Sequence, residues 1–523
     1  MKPVLAGTIL AMIIACTEFP SEPPGRVSIA QATSWPSELF VTDTQTLIVA
    51  VKLPDSTAVT GLRVKWQSSN DAILTVTPSP ANSLRLEDTL TAQLRALVTA
   101  RAGGFDTVRV EVEGGGAFQP LTVSYPIRVM QKWVAVSAGY EHSCGVTVDG
   151  NAYCWGTGLL GNGSTAGSRI PVQVLGQVNV KSVAAGNGHS CLTLVDGRAY
   201  CWGLNVSGAI GNGLPDDQLT PVPVSLGHLF QSVDAGQDYA CGLTTEATGF
   251  CWGDNTAWQL GDGGLVGVRP KPPFDECGFL APNICSLRPR PIQNRSRLAL
   301  PLIAVGPRAM HTCAVLTSRA VVCWGHGSKQ LGSDVVVTTD TTAPLVEPVV
   351  VVPGGLMFSS VTVGRFHSCG ITYPQRQISC WGFNSHGELG GTSADTSRPV
   401  AVSGPARTYV SVRAGENSTC GISSDSTAYC WGSNEFGQLG TTGTTGTCSG
   451  VNCSRSPLQL QLPNDLNLVA KVIAVSIGVR HGCAVIARGA AYCWGEASGG
   501  KLGNDTVSNA PILVNPVRVS EPL

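Results

Sequence analysis

The sequence predicts an all-β protein in which a small β-sandwich precedes a long repeated β-structure. Three observations carry this. A Cys-Trp-Gly triplet recurs seven times, at Cys154, Cys201, Cys251, Cys323, Cys380, Cys430 and Cys493. Each triplet follows another cysteine by ten or eleven residues, and these first cysteines lie 47, 50, 72, 56, 51 and 63 residues apart. A period near 50 marks a repeat architecture. Ahead of the repeats, from Val27 to Met130, there is no cysteine, and short Val-, Thr- and Leu-rich runs alternate with turns. That rhythm fits a sandwich of about 100 residues.

The chain begins with Lys2 and an apolar run from Val4 to Ala15, shorter than a membrane span needs. The run ends Ile13-Ile14-Ala15-Cys16, which resembles the lipobox of bacterial lipoproteins. The resemblance implies cleavage after residue 15 and lipidation of Cys16; an ordinary cleaved signal peptide is the alternative. Thr17 stands where an Asp would mark inner-membrane retention, so the expected place is the bacterial cell envelope, as an outer-membrane or cell-surface lipoprotein. Residues 16–26, with Pro20, Pro23 and Pro24, read as a tether.

Residues 27–130 form the expected sandwich. Thr46–Val51, Leu62–Trp66, Ala92–Val98 and Thr107–Val112 read as strands. The stretch Val64-Lys65-Trp66-Gln67-Ser68-Ser69-Asn70-Asp71 is similar to a motif of bacterial immunoglobulin-like domains, which implies a core role for Trp66.

Residues 131–523 hold the repeats. Within one, Cys144-Gly145-Val146-Thr147-Val148-Asp149-Gly150-Asn151-Ala152-Tyr153-Cys154 reads as a hairpin turning at Asp149-Gly150. A three-residue loop sets the two cysteines opposite each other, so a cross-strand bridge requires Cα atoms about 5.5 Å apart. The expected disulfides are Cys144–Cys154, Cys191–Cys201, Cys241–Cys251, Cys313–Cys323, Cys369–Cys380, Cys420–Cys430 and Cys483–Cys493, plus local pairs Cys277–Cys285 and Cys448–Cys453. Of 19 cysteines this leaves only Cys16, and an even, regularly spaced set argues for an oxidising compartment. Zinc is the rival reading, but nine intervening residues do not make a metal knuckle. Each short loop is worth roughly 2.5–3 kcal/mol by chain entropy.

The pattern Ala-Gly-x-x-His-Ser-Cys, then Asp-Gly-x-x-Tyr-Cys-Trp-Gly-x-Asn-x-x-Gly-x-Leu-Gly, resembles the repeats of the regulator of chromosome condensation family. The resemblance covers residues 132–523 and implies a seven-bladed β-propeller of four-stranded blades, so the whole is read as a seven-bladed β-propeller preceded by a small immunoglobulin-like β-sandwich. The paired cysteines are similar to those of its secreted bacterial branch. Family members include a GTPase exchange factor, a plant photoreceptor and a β-lactamase inhibitor, so the resemblance implies binding and no single partner. The first repeat lacks the Asn and part of its turn, and Ser418 replaces a His. The closing run Ala510-Pro511-Ile512-Leu513-Val514 is expected to complete the first blade and latch the ring.

Charged residues are only 13% and the net charge is −1, which excludes a general attraction to nucleic acid. No nucleophile elbow, phosphate loop or His-Glu-x-x-His pattern appears, so no enzyme, metal or cofactor is expected. His142, His189, His311, His367 and His481 each precede a repeat cysteine by two residues, and a recurring structural hydrogen bond explains them better than a metal ring. The Cys-Trp-Gly tryptophans read as packing between blades. Asp149, Asp196 and Asp425 read as turn formers.

Two insertions break the period: Asp262 to about Arg290, and Thr441 to Ser456. Loops on a rigid scaffold carry function, so Arg269, Lys271, Phe274, Phe279, Arg288 and Arg290 are the candidate partner-binding residues. The expected function is that of a monomeric, surface-anchored scaffold for a protein partner, touching the membrane through its lipid alone. The alternative is a glycan- or envelope-polymer-binding module, which exposed Trp258, Phe383 or Phe436 would favour.

Overall fold

The computed structural model describes residues 28–31, 38–52, 62–79, 91–114, 119–262, 285–292, 300–327, 329–332, 345–351, 355–443, 446–463, 470–505 and 511–522. The chain divides into two compact units, residues 1–130 and 131–523. Cys16, the apolar run and the tether lie outside the described residues.

The first unit pairs Ser28–Gln31, Thr44–Lys52, Thr91–Ala100 and Leu74–Pro78 in one sheet, and Glu38–Phe40, Leu121–Met130, Gly104–Gly114 and Leu62–Ser68 in another. Alternate residues of both sheets (Leu47, Val49 and Val51; Val108, Val110 and Val112) bury into one core with Trp66. The serine motif is held from a distance. The buried Asp106 carboxylate accepts from Ser68 Oγ at 2.6 Å and from the Ser69 and Asn70 amides at 3.0 and 3.1 Å.

Among the described residues of the second unit there are seven sheets, each built from one repeat in chain order. The first runs from the inner strand Trp133–Ala138 through His142–Thr147 and Ala152–Gly156 to the outer strand Ser168–Gln173. Every middle hairpin has the same register, with its two cysteines directly opposite, as in Cys144↔Cys154 and Cys483↔Cys493. Seven disulfides close these hairpins, with Cα atoms only 4.0–4.1 Å apart. The spacing is tighter than 5.5 Å because Thr147 N donates to Asn151 O three positions away, putting the cysteines at a non-hydrogen-bonded site of the ladder.

Neighbouring sheets are joined by a tryptophan clasp. The indole of each Cys-Trp-Gly is fully buried, and in six sheets its Nε1–H donates to a carbonyl in the Leu-Gly turn of the preceding repeat, as in Trp324 to Gln259 O at 2.9 Å. The exception is Trp202, whose Nε1 is unpaired because it faces the truncated turn of the first repeat. The turn glycine has positive φ in all seven repeats, and a Cβ there would lie 2.5–3.0 Å from the next indole nitrogen, 2.5 Å for Gly261 on Trp324. Where the Asn is present, its Oδ1 accepts from the turn leucine or isoleucine amide five residues on and fixes this geometry.

The ring closes without the strand exchange expected from the sequence. Ile512–Arg518 pairs with Ala491–Glu496 and is the outer strand of the seventh sheet. The closing run belongs to its own repeat: like Ser168–Gln173 in the first sheet it follows the third strand, and Trp133–Ala138 supplies the first blade with its own inner strand. Closure rests instead on a lateral seam. Gly503 packs on Trp155, and Trp155 Nε1 donates to Lys501 O at 2.9 Å. The Lys501 ammonium is fully buried, 2.7 Å from both Glu141 of the first repeat and Glu496 of the seventh.

Candidate functional site

Strand direction decides what shares a face. The turn between inner and second strands and the turn between third and outer strands leave each sheet at the same end, because His142 pairs with Gly156 and Gly156 with Ser168. The described hairpin of the sixth-repeat insertion and all seven inner turns therefore occupy one face of the ring.

At the centre of this face the fourth repeat departs from the others. In six repeats the His position comes three residues after the inner-turn glycine; here His311 comes five after Gly306. The extra residues carry Arg308, in a left-handed conformation with φ 61, out over the axis. Its Nη1 lies 3.2 Å from Glu416 Oε1 of the sixth repeat, and its guanidinium sits 5.2 Å from the Tyr140 ring of the first. Arg365 of the fifth repeat meets the same Glu416 oxygen at 2.6 Å. A side chain that touches the first and sixth repeats from the fourth must cross the mouth of the ring.

Around this plug stand further cation–aromatic stacks: Arg365 over Phe366 at 4.6 Å, Lys329 over Phe383 at 5.1 Å and Arg480 over Phe436 at 4.5 Å. The third repeat adds an acidic pair. Burial, and after it the neighbouring Asp254 carboxylate, raises the pKa of Asp238.

The insertion of the sixth repeat is a second hairpin. Gly446–Cys448 pairs with Val451–Gln459, and the Cys448–Cys453 bridge pins it, with Cα atoms 5.7 Å apart. It leans on the fifth repeat, where Ser449 Oγ donates to Ser385 O at 3.0 Å and Arg455 to Asn384 O at 3.4 Å. In the third repeat the outer strand begins at Cys285, so the insertion ends there and not near Arg290. Arg288 and Arg290 belong to that strand: Arg290 Nε donates to Ser286 Oγ at 3.0 Å, and Arg288 is exposed beside Gly213 of the second repeat. Cys285 is disulfide-bonded, whereas Cys277, Arg269, Lys271, Phe274 and Phe279 lie outside the described residues.

The five histidines are buried between sheets. His142, His311, His367 and His481 each place Nε2 2.7–2.9 Å from a hydroxyl one sheet on: Ser190, Ser368, Thr419 and Ser143. Ser143, Ser368 and Thr419 donate onward to turn carbonyls, so each accepts from an Nε2–H, and the ring is the neutral Nε2 tautomer. Burial lowers the pKa to about 4 for His142, His189 and His367, and to about 3 for His311. Where the hydroxyl is missing the pattern breaks. His189 faces Ala240 and its Nε2 is unpaired; Ser418 faces Gly482. Tyr239 takes the third position and donates to His311 O at 2.7 Å. Among the described residues no three His, Cys, Asp or Glu side chains gather as a metal site.

Profiles of the "Regulator of chromosome condensation (RCC1) repeat" match residues 149–193, 196–243 and 425–485, and a second profile of that description matches 133–162, 180–209 and 409–438. Residues 133–243 and 409–485 thus match RCC1 repeats. Among curated proteins, the ultraviolet-B receptor UVR8 of Arabidopsis thaliana is 31% identical over 223 residues, 42% of this chain and 46% of the receptor. The E3 ubiquitin-protein ligase HERC2 of Homo sapiens is 32% identical over 237 residues, 43% of this chain and 4% of the ligase. The chain thus spans less than half the length of these relatives. Among solved structures, yeast RCC1 (Prp20) bound to Kap60 matches with TM-score 0.56 at 20% identity, covering 75% of this chain and 85% of that one. Human WBSCR16 matches with TM-score 0.55 at 16% identity, covering 81% and 99%. At such identities the likeness establishes the RCC1-type fold.

Among the described residues no helix is long and apolar enough to cross a membrane. The disulfides of the RCC1 repeats fit an oxidising environment. Trp258 is buried, 9% exposed, whereas Phe383 is 37% exposed beside Lys329 and Phe436 is half-buried beneath Arg480.

Proposed function

We propose that this protein is a non-enzymatic, lipid-anchored scaffold of the bacterial cell envelope that binds a protein partner on the face bearing Arg308. The single observation that supports this most is the concentration there of arginines stacked on aromatic rings, together with a disulfide-pinned hairpin. Arginine and aromatic side chains dominate the energetic centres of protein interfaces. A loop ordered in advance also loses less entropy on binding. The partner reading is favoured over the glycan reading because Trp258 is buried and the rings on this face are paired with arginines and a lysine.

The decisive experiment uses the mature protein as bait in the envelope fraction, followed by affinity measurement with the partner recovered. Arg365→Glu with Arg480→Glu should weaken that affinity at least tenfold. Arg319→Glu with Arg407→Glu, at the opposite ends of the sheets, should leave it unchanged. The reverse pattern, or equal losses, places the partner elsewhere. The anchor is tested separately: wild type should partition into detergent, and Cys16→Ser should not. Equal partitioning and processing of the two would refute lipidation.

A further inference from the structure

The seven inner strands line an axial channel of about 400 Å³. One register position of each strand, immediately before the residue that precedes the turn glycine, forms a ring: Ser137, Ala184, Asp234, Ala304, Thr362, Arg413 and Ser476. Most of the ring has an evident structural purpose. Ser476 Oγ accepts from Ala138 N and Ser137 Oγ from Ala185 N, both at 2.9 Å, and Thr362 Oγ1 accepts from Ala414 N at 3.0 Å. In each case a short side-chain oxygen caps the amide of the next sheet. Asp234 does this only in part, since Oδ2 accepts from Val305 N at 3.4 Å and Oδ1 has no donor among the described residues.

Arg413 does not fit that purpose at all. A guanidinium has no acceptor to offer an amide. Arg413 is exposed along the channel, donates to its own neighbour's carbonyl, Val412 O, at 3.2 Å, and has no carboxylate at ion-pair distance among the described residues. Asp234 and Arg413 are the two charged residues of the lining. They stand on the third and sixth of seven sheets, roughly 150° apart about the axis. Burial raises the Asp234 carboxyl pKa, and the Arg413 field opposes this. A purely structural pair in such a cavity gains most by direct, bidentate contact. These two stand on well-separated walls with no ion pair between them, and the small Ala184 and Ala304 flank Asp234 on either side.

Pro307 lines one end of the channel, and the adjacent Arg308 reaches Glu416 and Tyr140 across that face. At the other end the inner strands begin, and Ile473 stands 50% exposed. A solute entering there meets a polar channel with one fixed positive and one fixed negative group.

We propose that the axial channel binds a small zwitterion of the amino-carboxylate class, its carboxylate on Arg413 and its ammonium on Asp234. The guanidinium fork matches a carboxylate, and the free Asp234 oxygen accepts from the ammonium. The two walls act as a ruler, so affinity depends on the separation of the two charges. The proposal does not depend on the partner face.

The test titrates the mature protein with glycine, 4-aminobutyrate and 6-aminohexanoate by ligand-observed NMR, with butyrate and butylamine as singly charged controls. One chain length should bind best, with Kd in the ~1 mM range, and both controls at least tenfold more weakly. Arg413→Gln should abolish amino-acid and butyrate binding. Asp234→Asn should weaken the best amino acid about tenfold and leave butyrate unchanged, and Arg413→Lys should retain part of the affinity. Far-UV spectra and unfolding midpoints of all variants establish that the ring is intact. Absence of saturable binding across the series overturns the proposal, as does equal binding by all lengths or binding that survives Arg413→Gln.

Discussion

Lowering the pH from 7.5 to 5.5 should destabilise the propeller far more than an ordinary domain of its size. The five buried histidines are neutral in the fold, with pKa lowered by burial to about 4, 4, 3 and 4 for His142, His189, His311 and His367, and well below the ordinary value for His481. In the unfolded chain each titrates near 6.5. Above that pH neither state binds a proton, and the neutral rings contribute their full stability. Below it the unfolded chain takes up protons that the folded chain refuses, so stability is lost as pH falls from about 6.5 towards about 4. At pH 5.5 each histidine costs about 1.4 kcal/mol, and five together about 7 kcal/mol, comparable with the whole net stability of a typical domain. Urea unfolding with disulfides intact, followed by tryptophan emission at pH 7.5, 6.5 and 5.5, measures the slope. Gln can donate the same hydrogen bond without titrating, so His142→Gln, His311→Gln, His367→Gln and His481→Gln combined should remove about four fifths of the pH dependence. A stability independent of pH across this range would refute the reasoning, as would an unchanged slope in the Gln variant.

Two further outcomes follow from the clasp and the seam. Gly261→Ala puts a Cβ 2.5 Å from Trp324 Nε1 at φ +65, and should cost roughly 2–4 kcal/mol by urea unfolding. Gly176→Ala, at φ +73 with open space around it, should cost only the backbone part, about 1 kcal/mol; equal losses would remove the packing argument. Lys501→Met leaves the Glu496 carboxylate without its ammonium in the closing seam and should cost about 3 kcal/mol, with Glu141→Gln and Glu496→Gln added recovering most of it. Amide exchange should accelerate first in Trp133–Ala138 and Val472–Ile477, and uniform acceleration would show that Lys501 is not a seam residue.

The repeated core was legible because a rule stated seven times corrects its own exceptions. One Cys-x9-Cys-Trp-Gly gives an ambiguous hairpin; seven fix the register of the ladder and the identity of the buried ring. The closure was misread because the Pro-Val strand, taken at the boundary of the repeat, pairs equally well in pattern with the sheet before or after it. Only the observed ladder, Cys493↔Val517, decides. Arg288 and Arg290 were counted with the insertion because the break in the repeat period does not mark where the outer strand resumes; the strand begins at Cys285, and its prolines are tolerated at an outer edge. The link from Asp106 to Ser68 and Ser69 spans 37 or 38 residues and leaves no local mark in the sequence.

Arg308 was legible in principle, since the spacing of five in Gly306-Pro307-Arg308-Ala309-Met310-His311 stands out once the repeats are aligned. What repeats in this chain is structural: an indole on a carbonyl, an imidazole on a hydroxyl, a serine oxygen on the next amide. The departures divide into two kinds. At Ala240 and Gly482 the partner is absent and so is part of the clasp, which is relaxation of a structural rule. At Arg308 a long cation leaves its own sheet to reach Glu416 and Tyr140, and at Arg413 one stands in the channel with no carboxylate at ion-pair distance among the described residues, a placement whose cost packing does not return. One reaches across the face at the end of the channel that Pro307 lines, and the other stands inside it. That coincidence is why the channel, and not the row of buried histidines, is the place to look for a small ligand.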